Sequence, residues 1–227
     1  MSDVERHKRA AAEAAAALVT DAMCVGLGTG STVAHLLPAL AARALSGVRY
    51  VATSRATESA ARALGLTVEE LDAASELDIA IDGADQIDPN GWLVKGGGAA
   101  QTREKIVARA SRRFVVIASA EKAVQALSPP VPLEVLRFGA RHTLAAVGDA
   151  RLRGELESPD GNLIADYFGP IGDPLSLSAR LSATPGMVEH GLFAPELVSE
   201  ILIAGDDGVE RRAGGKLGRL AEISEDE

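Results

Sequence analysis

The chain has 227 residues, of which 47% are hydrophobic, enough to form one large domain or two unequal domains with a packed core. Its 32 acidic and 23 basic residues give a formal charge of −9, which argues against electrostatic binding to nucleic acid or to an anionic membrane surface. A single cysteine, Cys24, excludes an internal disulfide and any multi-cysteine metal site, and we expect it to be a small core residue.

The sequence contains no stretch of the roughly 18 apolar residues that are needed to span a bilayer. Its N-terminus carries Asp3, Glu5, Arg6 and Lys8 before an alanine-rich run, a pattern too charged for a signal peptide. We therefore expect a cytoplasmic protein.

Short β-branched runs alternate with alanine- and leucine-rich segments along the first half of the chain. Helices are predicted at residues 4–18, 31–44, 57–64 and 99–111, and strands at 22–27, 48–52, 77–81 and 114–118. This order is typical of parallel strands joined by helical crossovers. The predicted fold class is α/β, with a Rossmann-like parallel sheet flanked by helices.

A domain boundary is predicted at Ser128-Pro129-Pro130-Val131-Pro132, because three prolines in four residues forbid a helix interior. Shorter elements follow: strands at 133–137, 153–157, 162–167 and 187–192, and helices at 140–150 and after Asp173. These elements indicate a second, smaller α+β domain of ferredoxin-like type.

The run at residues 199–204 is apolar enough to return to the first sheet as its last strand. We therefore predict a large catalytic domain from residues 1–128 and 199–220, a small domain from 129–198, and an acidic C-terminal tail at 221–227.

A glycine-rich turn, Gly26-Leu27-Gly28-Thr29-Gly30-Ser31-Thr32, follows the first predicted strand. Its glycines lack the G-x-G-x-x-G spacing of a dinucleotide site, and the next strand is followed by Thr53-Ser54 rather than by an acidic residue. The hydroxyl side chains favour a cradle for a small phosphate or sugar. The structural alternative is a tight turn in which Ser31 caps a helix.

The run Asp82-Gly83-Ala84-Asp85 follows the apolar segment 77–81, at the expected carboxyl end of a buried strand. Ligands of open α/β sheets bind at that edge. Asp-Gly pairs also mark ordinary turns, so a structural role for Asp82 is the alternative.

The segment Lys95-Gly96-Gly97-Gly98 precedes a predicted helix that carries Glu104 in its first turns. Glycines allow close approach to a ligand, and the N–H groups at a helix start attract negative charge. Such a segment can hold an anion beside a base. A Glu at this helix position is more often a solvated residue that interacts favourably with the helix dipole.

Together, the three motifs resemble the ribose-5-phosphate isomerase type A family. The similarity runs from Lys8 through the motifs to Pro132-Leu133-Glu134-Val135 and the segment 185–193. It implies a Rossmann-like large domain, a smaller α/β domain and a homo-oligomer, either a homodimer or a tetramer. It also implies interconversion of D-ribose 5-phosphate and D-ribulose 5-phosphate through an enediolate, in the non-oxidative branch of the pentose phosphate pathway, with no cofactor and no metal.

The resemblance assigns roles residue by residue. Glu104 matches the family's proton acceptor, and Asp82, Asp85 and Lys95 complete the expected catalytic set. The expected substrate-binding residues are Thr29, Gly30, Ser31, Thr32, Asp82, Gly83, Ala84, Asp85, Lys95, Gly96, Gly97, Gly98, Lys122 and Lys8.

The chemistry of aldose–ketose isomerisation agrees with these roles. Glu104 would take the C2 proton and return it to C1. A free carboxylate has a pKa of ~4.3, so partial desolvation would have to raise the pKa of Glu104. Nearby lysines oppose that shift, because a positive charge favours the ionised carboxylate. Lys95 and the N–H groups of residues 96–98 would stabilise the enediolate oxygen. Asp82 and Asp85 would bind hydroxyls, assist ring opening and shuttle protons. We expect Ser31, Thr32 and Lys8 to receive the phosphate.

The sequence departs from the family pattern at three places, none of which is the expected base Glu104. Gln86 stands where an acidic residue is usual, and Ser119 and Glu121 replace the common Asp and Ser ahead of Lys122. Arg55 occupies a usually small or acidic position. We expect activity to persist with altered affinity.

Several other interpretations remain. Lys122 is equally explained as a surface charge, and His7, His35, His142 and His190 lack metal-ligand spacing, so none is assigned to catalysis. A noncatalytic sugar-phosphate sensor is the main functional alternative, but a sensor needs no base at residue 104, and no helix-turn-helix precedes Gly26. An acyl-CoA transferase shares a related sheet but normally needs a larger chain.

Overall fold

The computed structural model describes residues 2–74 and 76–215. Within them the α-helices are α1 (Asp3–Ala16), α2 (Ser31–Ala42), α3 (Arg55–Ala63), α4 (Gln101–Ala110), α5 (Ala140–Val147) and α6 (Pro174–Ser182). The strands are β1 (Cys24–Leu27), β2 (Arg49–Ala52), β3 (Leu77–Gly83), β4 (Gln86–Ile87), β5 (Leu93–Val94), β6 (Ser111–Ser119), β7 (Val131–Val135), β8 (Ala150–Glu157), β9 (Leu163–Tyr167), β10 (Met187–His190), β11 (Leu192–Phe193), β12 (Glu200–Gly205) and β13 (Gly208–Ala213).

Six strands form the larger sheet in the order β13-β12-β6-β3-β1-β2. The pairs from β2 to β12 are parallel. Strands β3 and β6 each contain an apolar run and are buried along most of their length, as expected for strands covered on both faces. The predicted α/β sheet is confirmed. Cys24 is buried in β1, as expected of a core residue.

Helix α1 contributes its alanine face to the core of this sheet. Ala11, Ala12, Ala15 and Ala16 are buried in the same cluster as Val25, Leu27, Ile79 and Ile81. Small side chains at these positions allow the helix backbone to approach its neighbours closely.

The end of the larger sheet differs from the prediction. The run expected to be the last strand forms β12, parallel to β6, but β13 then pairs antiparallel with β12 and lies at the edge. Residues of β13 are mostly exposed and include Glu210, Arg211 and Arg212. Because these residues are charged, the strand lacks the apolar pattern by which strands are predicted. Charged residues are nevertheless common on edge strands.

The second half of the chain forms a four-stranded antiparallel sheet in the order β10-β7-β9-β8. Chain order β7-α5-β8-β9-α6-β10 gives the βαββαβ pattern of a ferredoxin-like unit. Asp173 caps α6 by accepting the N–H of Ser176, and the hydrogen bonds from Ser176 lower the pKa of that carboxyl.

A third, three-stranded sheet has the order β11-β5-β4. The strand predicted at residues 187–192 is split at Gly191, because β10 belongs to the four-stranded sheet and β11 to this one. Through β4 and β5, residues 85–102 join the second compact unit, although the sequence placed them in the large domain.

Contacts therefore divide the chain into two units. The first is drawn from residues up to 84, 103–123 and from 195 onward, and the second from 85–102 and 124–194. The predicted acidic tail at 221–227 lies outside the described residues. In the part of the chain that the structure describes, every helix is too short or too polar to cross a membrane.

Candidate active site

The turn between β1 and α2 is shaped by the carboxylate of Asp82. A Cβ on Gly28 would lie 1.9 Å from Oδ1 of Asp82, so only glycine fits here. Gly30, with φ of 124°, is the N-cap residue of α2, and no side chain among the described residues caps that helix. The interpretation of Ser31 as a helix cap is wrong, since Ser31 is already the first helical residue. The turn is therefore suited to receive an anion at the helix start.

Asp82 itself is 2% exposed and is held by backbone donors. Its Oδ1 accepts the N–H of Thr29 at 3.1 Å and that of Gly83 at 2.7 Å. The structure thus brings one of the predicted aspartates to the glycine-rich turn. Its carboxylate orders the turn in addition to any role in chemistry.

Hydroxyl groups from α3 and the end of β2 support the same turn. Thr29 Oγ1 lies 2.9 Å from Thr53 Oγ1, and Thr57 Oγ1 donates to the carbonyl of Gly28 at 2.9 Å. We did not predict these roles for Thr53 and Thr57. The sequence feature that could have indicated the role of Thr53 is the pair Thr53-Ser54 after the strand at 48–52, where a dinucleotide site would have an acidic residue.

Lys8, on α1, forms an ion pair. Its Nζ donates to Oε1 of Glu5 at 2.7 Å, and Oε2 of Glu5 lies 2.8 Å from Nε2 of His35. The hydrogen bond from Lys8, and then that from His35, lowers the pKa of Glu5. Lys122 is the last residue of a short 3-10 turn and is partly exposed.

Glu104 is the fourth residue of α4 and is only 3% exposed. The solvated alternative for this residue is therefore wrong. Three residues later, Val107 packs so closely on β1 that a Cβ on Gly26 would lie 2.4 Å from its Cγ1. Residues three apart share one face of a helix, so Glu104 lies on the face of α4 that packs on the sheet.

The glycine segment before α4 lies in the second unit and is held from several directions. Gly97 donates its N–H to Oδ2 of Asp85 at 2.9 Å. Arg153 donates from Nη1 to the carbonyls of Gly96 at 3.2 Å and Gly97 at 3.1 Å. Asp85 thus contacts the glycine segment, and the structure places Asp82 in the other unit at the Gly28 turn.

Arg153, on β8, was not predicted as a site residue. It forms a two-point ion pair with Asp166, whose hydrogen bonds raise the pKa of the guanidinium. No local signal marks this arginine, because its target carbonyls lie more than 50 residues away in the chain.

The helix predicted from residue 99 begins at Gln101. Ala99 has φ of 61°, in the left-handed region, and its N–H bonds to the carbonyl of Gly96 at 3.0 Å. A non-glycine residue in this region stores strain of about 1 kcal/mol, a feature often found at functional sites.

Gln86, the departure next to Asp85, has a structural explanation. Its amide donates to the carbonyl of Ser128 and accepts the N–H of the same residue, both at 2.8 Å. A carboxylate could only accept, so the amide suits this two-way pairing. In the second departure, Ser119 donates to Oε1 of Glu121 at 2.7 Å.

Residues 49–208 match the family described as Ribose 5-phosphate isomerase A (phosphoriboisomerase A). Ribose-5-phosphate isomerase A of Caulobacter vibrioides is 47% identical over 220 residues, which cover 90% of this chain and 96% of the relative. The structure of ribose 5-phosphate isomerase A from Methanocaldococcus jannaschii superposes with a TM-score of 0.87 at 34% identity, covering 92% of this chain and 99% of that one. A D-ribose-5-phosphate isomerase in complex with phospho-erythronic acid gives a TM-score of 0.89 at 33% identity, covering 93% and 100%.

Proposed function

The chain belongs to the ribose 5-phosphate isomerase A family, and from that premise we propose how its own residues interconvert D-ribose 5-phosphate and D-ribulose 5-phosphate. The buried carboxylate of Glu104 is the observation that carries the proposal, because a Glu in the first turn of a helix is ordinarily solvated.

Glu104 is the base. It removes the proton from C2 of the open-chain aldose and returns it to C1 of the enediolate. The aldehyde oxygen is protonated as the C2 hydroxyl loses its proton, so atoms and electrons balance within one molecule. The net change is redox-neutral and draws on no external oxidant or reductant. Burial of the carboxylate excludes the water that would compete for the proton.

Lys95 and the backbone N–H groups of Gly96 and Gly98 stabilise the negative charge that develops on the enediolate oxygen, while the N–H of Gly97 is bonded to Asp85. One well-placed donor of this kind contributes roughly 3 kcal/mol to catalysis. Asp85 and Arg153 hold the segment in place through hydrogen bonds to the backbone of Gly96 and Gly97. Such preorganisation removes the need to reorder the donors during the reaction.

Asp82 and the turn that it orders bind the sugar phosphate. Ser31 and Thr32 supply hydroxyls at the start of α2, where the helix dipole favours a dianion. Lys8 adds a positive charge, and Glu5 orients its ammonium group. We assign contacts with the sugar hydroxyls to Thr29, Asp82 and Asp85, and a further phosphate or sugar contact to Lys122.

We further propose that the protein is a cytoplasmic homo-oligomer, dimer or tetramer. Large apolar side chains are exposed in the second unit, including Phe138 at 93% exposure, Leu136 and Leu175. Leu152 and Leu156 are exposed on the edge strand β8. Large apolar side chains with this much exposure are often covered by a second copy of the chain. Sedimentation of the intact chain measures the oligomeric state directly.

The test is isomerisation of ribose 5-phosphate in chelator-treated buffer by the wild-type protein and by Glu104→Gln. We expect metal-independent turnover that falls on the order of 10³-fold in the variant, since the amide keeps the shape but cannot accept the proton. Glu58→Gln is the matched control, because Glu58 is also the fourth residue of its helix but is partly exposed. Full activity in Glu104→Gln would contradict the assignment of the base. A folded wild-type protein that binds the sugar phosphate without converting it would indicate a sensor.

A further inference from the structure

The ammonium of Lys95 is buried, with the residue only 2% exposed. A charge in this position is unfavourable unless neighbouring groups compensate for lost hydration. One such neighbour is the ring of Phe193, whose centroid lies 5.3 Å from Nζ. The ring is itself fully buried, so the cation–π attraction acts where water does not screen it.

The backbone around Phe193 also holds the backbone of Lys95. Gly191 accepts the N–H of Lys95 at 2.8 Å and donates its own N–H to Pro132 at 2.7 Å. Phe193 then pairs with Leu93 in the three-stranded sheet. A Cβ on Gly191 would lie 2.0 Å from the carbonyl oxygen of Lys95, so this approach requires glycine.

His190 fixes the start of the same segment. Its Nδ1 accepts the N–H of Leu192 at 3.2 Å, which places the ring hydrogen on Nε2. Nε2 lies 3.2 Å from Oγ of Ser178 and 3.1 Å from Oγ of Ser182, both on α6. With Nε2 protonated, this buried histidine cannot act as a base toward the serines, and its role is to anchor the segment.

We propose that Phe193 is a positioning residue for the isomerase reaction: its ring face holds the Lys95 ammonium while Gly191 holds the Lys95 backbone. The inference rests on the proposed role of Lys95 in stabilising the enediolate. Phe193 acts through the lysine, so weakening its hold should lower kcat more than it changes KM. The residue lies 98 positions beyond Lys95 and carries no chemistry of its own.

A graded test replaces Phe193 with 4-fluoro-, 3,5-difluoro- and 3,4,5-trifluorophenylalanine by site-specific incorporation. Each fluorine withdraws electron density from the ring face and weakens the cation–π attraction with little change in shape. We expect kcat to fall stepwise, by about 3- to 30-fold over the series, with the melting temperature nearly constant. A ring that serves only as packing would give a flat series, and that result would overturn the proposal.

The matched control is the same series at Phe114, another fully buried ring, on β6, where kcat should not change. Repeating the Phe193 series in a Lys95→Met background tests the role of Phe193 separately from the role of Lys95. The trend should disappear there, because the ammonium is gone; a trend that persists would overturn the inference. If Lys95→Met alone retains wild-type kcat, the proposed role of Lys95 fails, and the inference fails with it. A flat Phe193 series beside a Lys95→Met variant whose kcat is strongly reduced but still measurable overturns the inference alone.

Discussion

The two glycine-rich segments of this molecule are held in different ways. The Gly28 turn connects a strand to the helix that follows it, and the carboxylate of Asp82 on a neighbouring strand orders its backbone. The Gly96 segment is held instead by hydrogen bonds to Asp85, Arg153 and Gly191, which come from three separate parts of the chain. We infer that the binding turn is ordered within one sheet, by an adjacent strand, whereas the segment proposed to stabilise the intermediate is positioned by contacts from three separate parts of the chain.

Alanine substitutions at Gly28 and Gly191 test whether the first segment serves binding and the second serves catalysis. Gly28→Ala places a methyl group 1.9 Å from the Asp82 carboxylate, which must move and release the N–H of Thr29. We expect kcat/KM for ribose 5-phosphate to fall on the order of 100-fold, mainly through a higher KM, as is typical when a binding group is displaced by about 1 Å. Steady-state kinetics over a range of substrate concentrations measures the split.

Two further variants complete that comparison. Gly191→Ala disturbs the Lys95 backbone and should instead lower kcat, with KM nearly unchanged. Gly205→Ala is the control, because its Cβ would make only an ordinary contact of 3.5 Å with Ala120. If Gly28→Ala and Gly191→Ala give the same change in KM and kcat, the two segments do not have separate functions.

Arg153→Met tests whether the glycine segment needs its distant clamp. Losing the bonds to the carbonyls of Gly96 and Gly97 should loosen the donors and lower kcat about 10-fold. Asp166 also loses its partner, so we expect the free energy of unfolding to fall by about 1–3 kcal/mol. Arg151→Met, on the same strand, is the control. Wild-type kcat in a folded Arg153→Met protein would show that the segment holds its shape without the guanidinium.

Gln101→Leu gives a smaller effect of opposite sign. Gln101 is fully buried, and within residues 2–74 and 76–215 neither of its side-chain amide atoms has a hydrogen-bond partner. Replacing it with an apolar residue of similar size should raise the free energy of unfolding by about 1 kcal/mol, with kcat unchanged. Denaturant unfolding and kinetics on the same sample test both points. A more stable but inactive variant would place the amide in the site, because its oxygen lies beside Gly96.

The smallest expected effect is on stability and concerns Glu5, which pairs with the proposed phosphate ligand Lys8. Its pKa is lowered in the folded protein by Lys8 and then His35, so its stabilising contribution is present above the unfolded pKa of about 4.5 and is lost as pH falls through the folded value. The stability difference between wild type and Glu5→Gln should therefore shrink on acidification below about pH 4.5. Unfolding curves between pH 3 and 7 measure it, and a constant difference over that range would contradict the ion pair.

Much of the fold follows from pattern, because buried parallel strands are apolar runs that hydropathy detects. The strands that escaped prediction were those with weak patterns: β4 and β5 have two residues each, and β13 is exposed and charged. The helix predicted from residue 99 was wrong by two residues because Ala99 adopts a left-handed conformation that propensity does not foresee.

The site divides in the same way. Chemistry-bearing residues within local motifs, such as Asp82 and Glu104, could be proposed from sequence, and the structure adds their burial. Arg153, Gly191 and Phe193 could not, because their importance comes from contacts with residues more than 50 positions away. Sequence spacing carries no information about such contacts without a fold.

The central claim is that Glu104 removes the proton from C2, and its most direct measurement follows deuterium at that carbon. Ribose 5-phosphate labelled at C2 would be incubated with wild-type protein and with Glu104→Gln, and the label followed by NMR. We predict that deuterium leaves C2 with the wild-type protein, to C1 of the product or to solvent, and stays at C2 with the variant although the variant still binds the sugar phosphate. Loss of the label at the wild-type rate in Glu104→Gln would contradict the account.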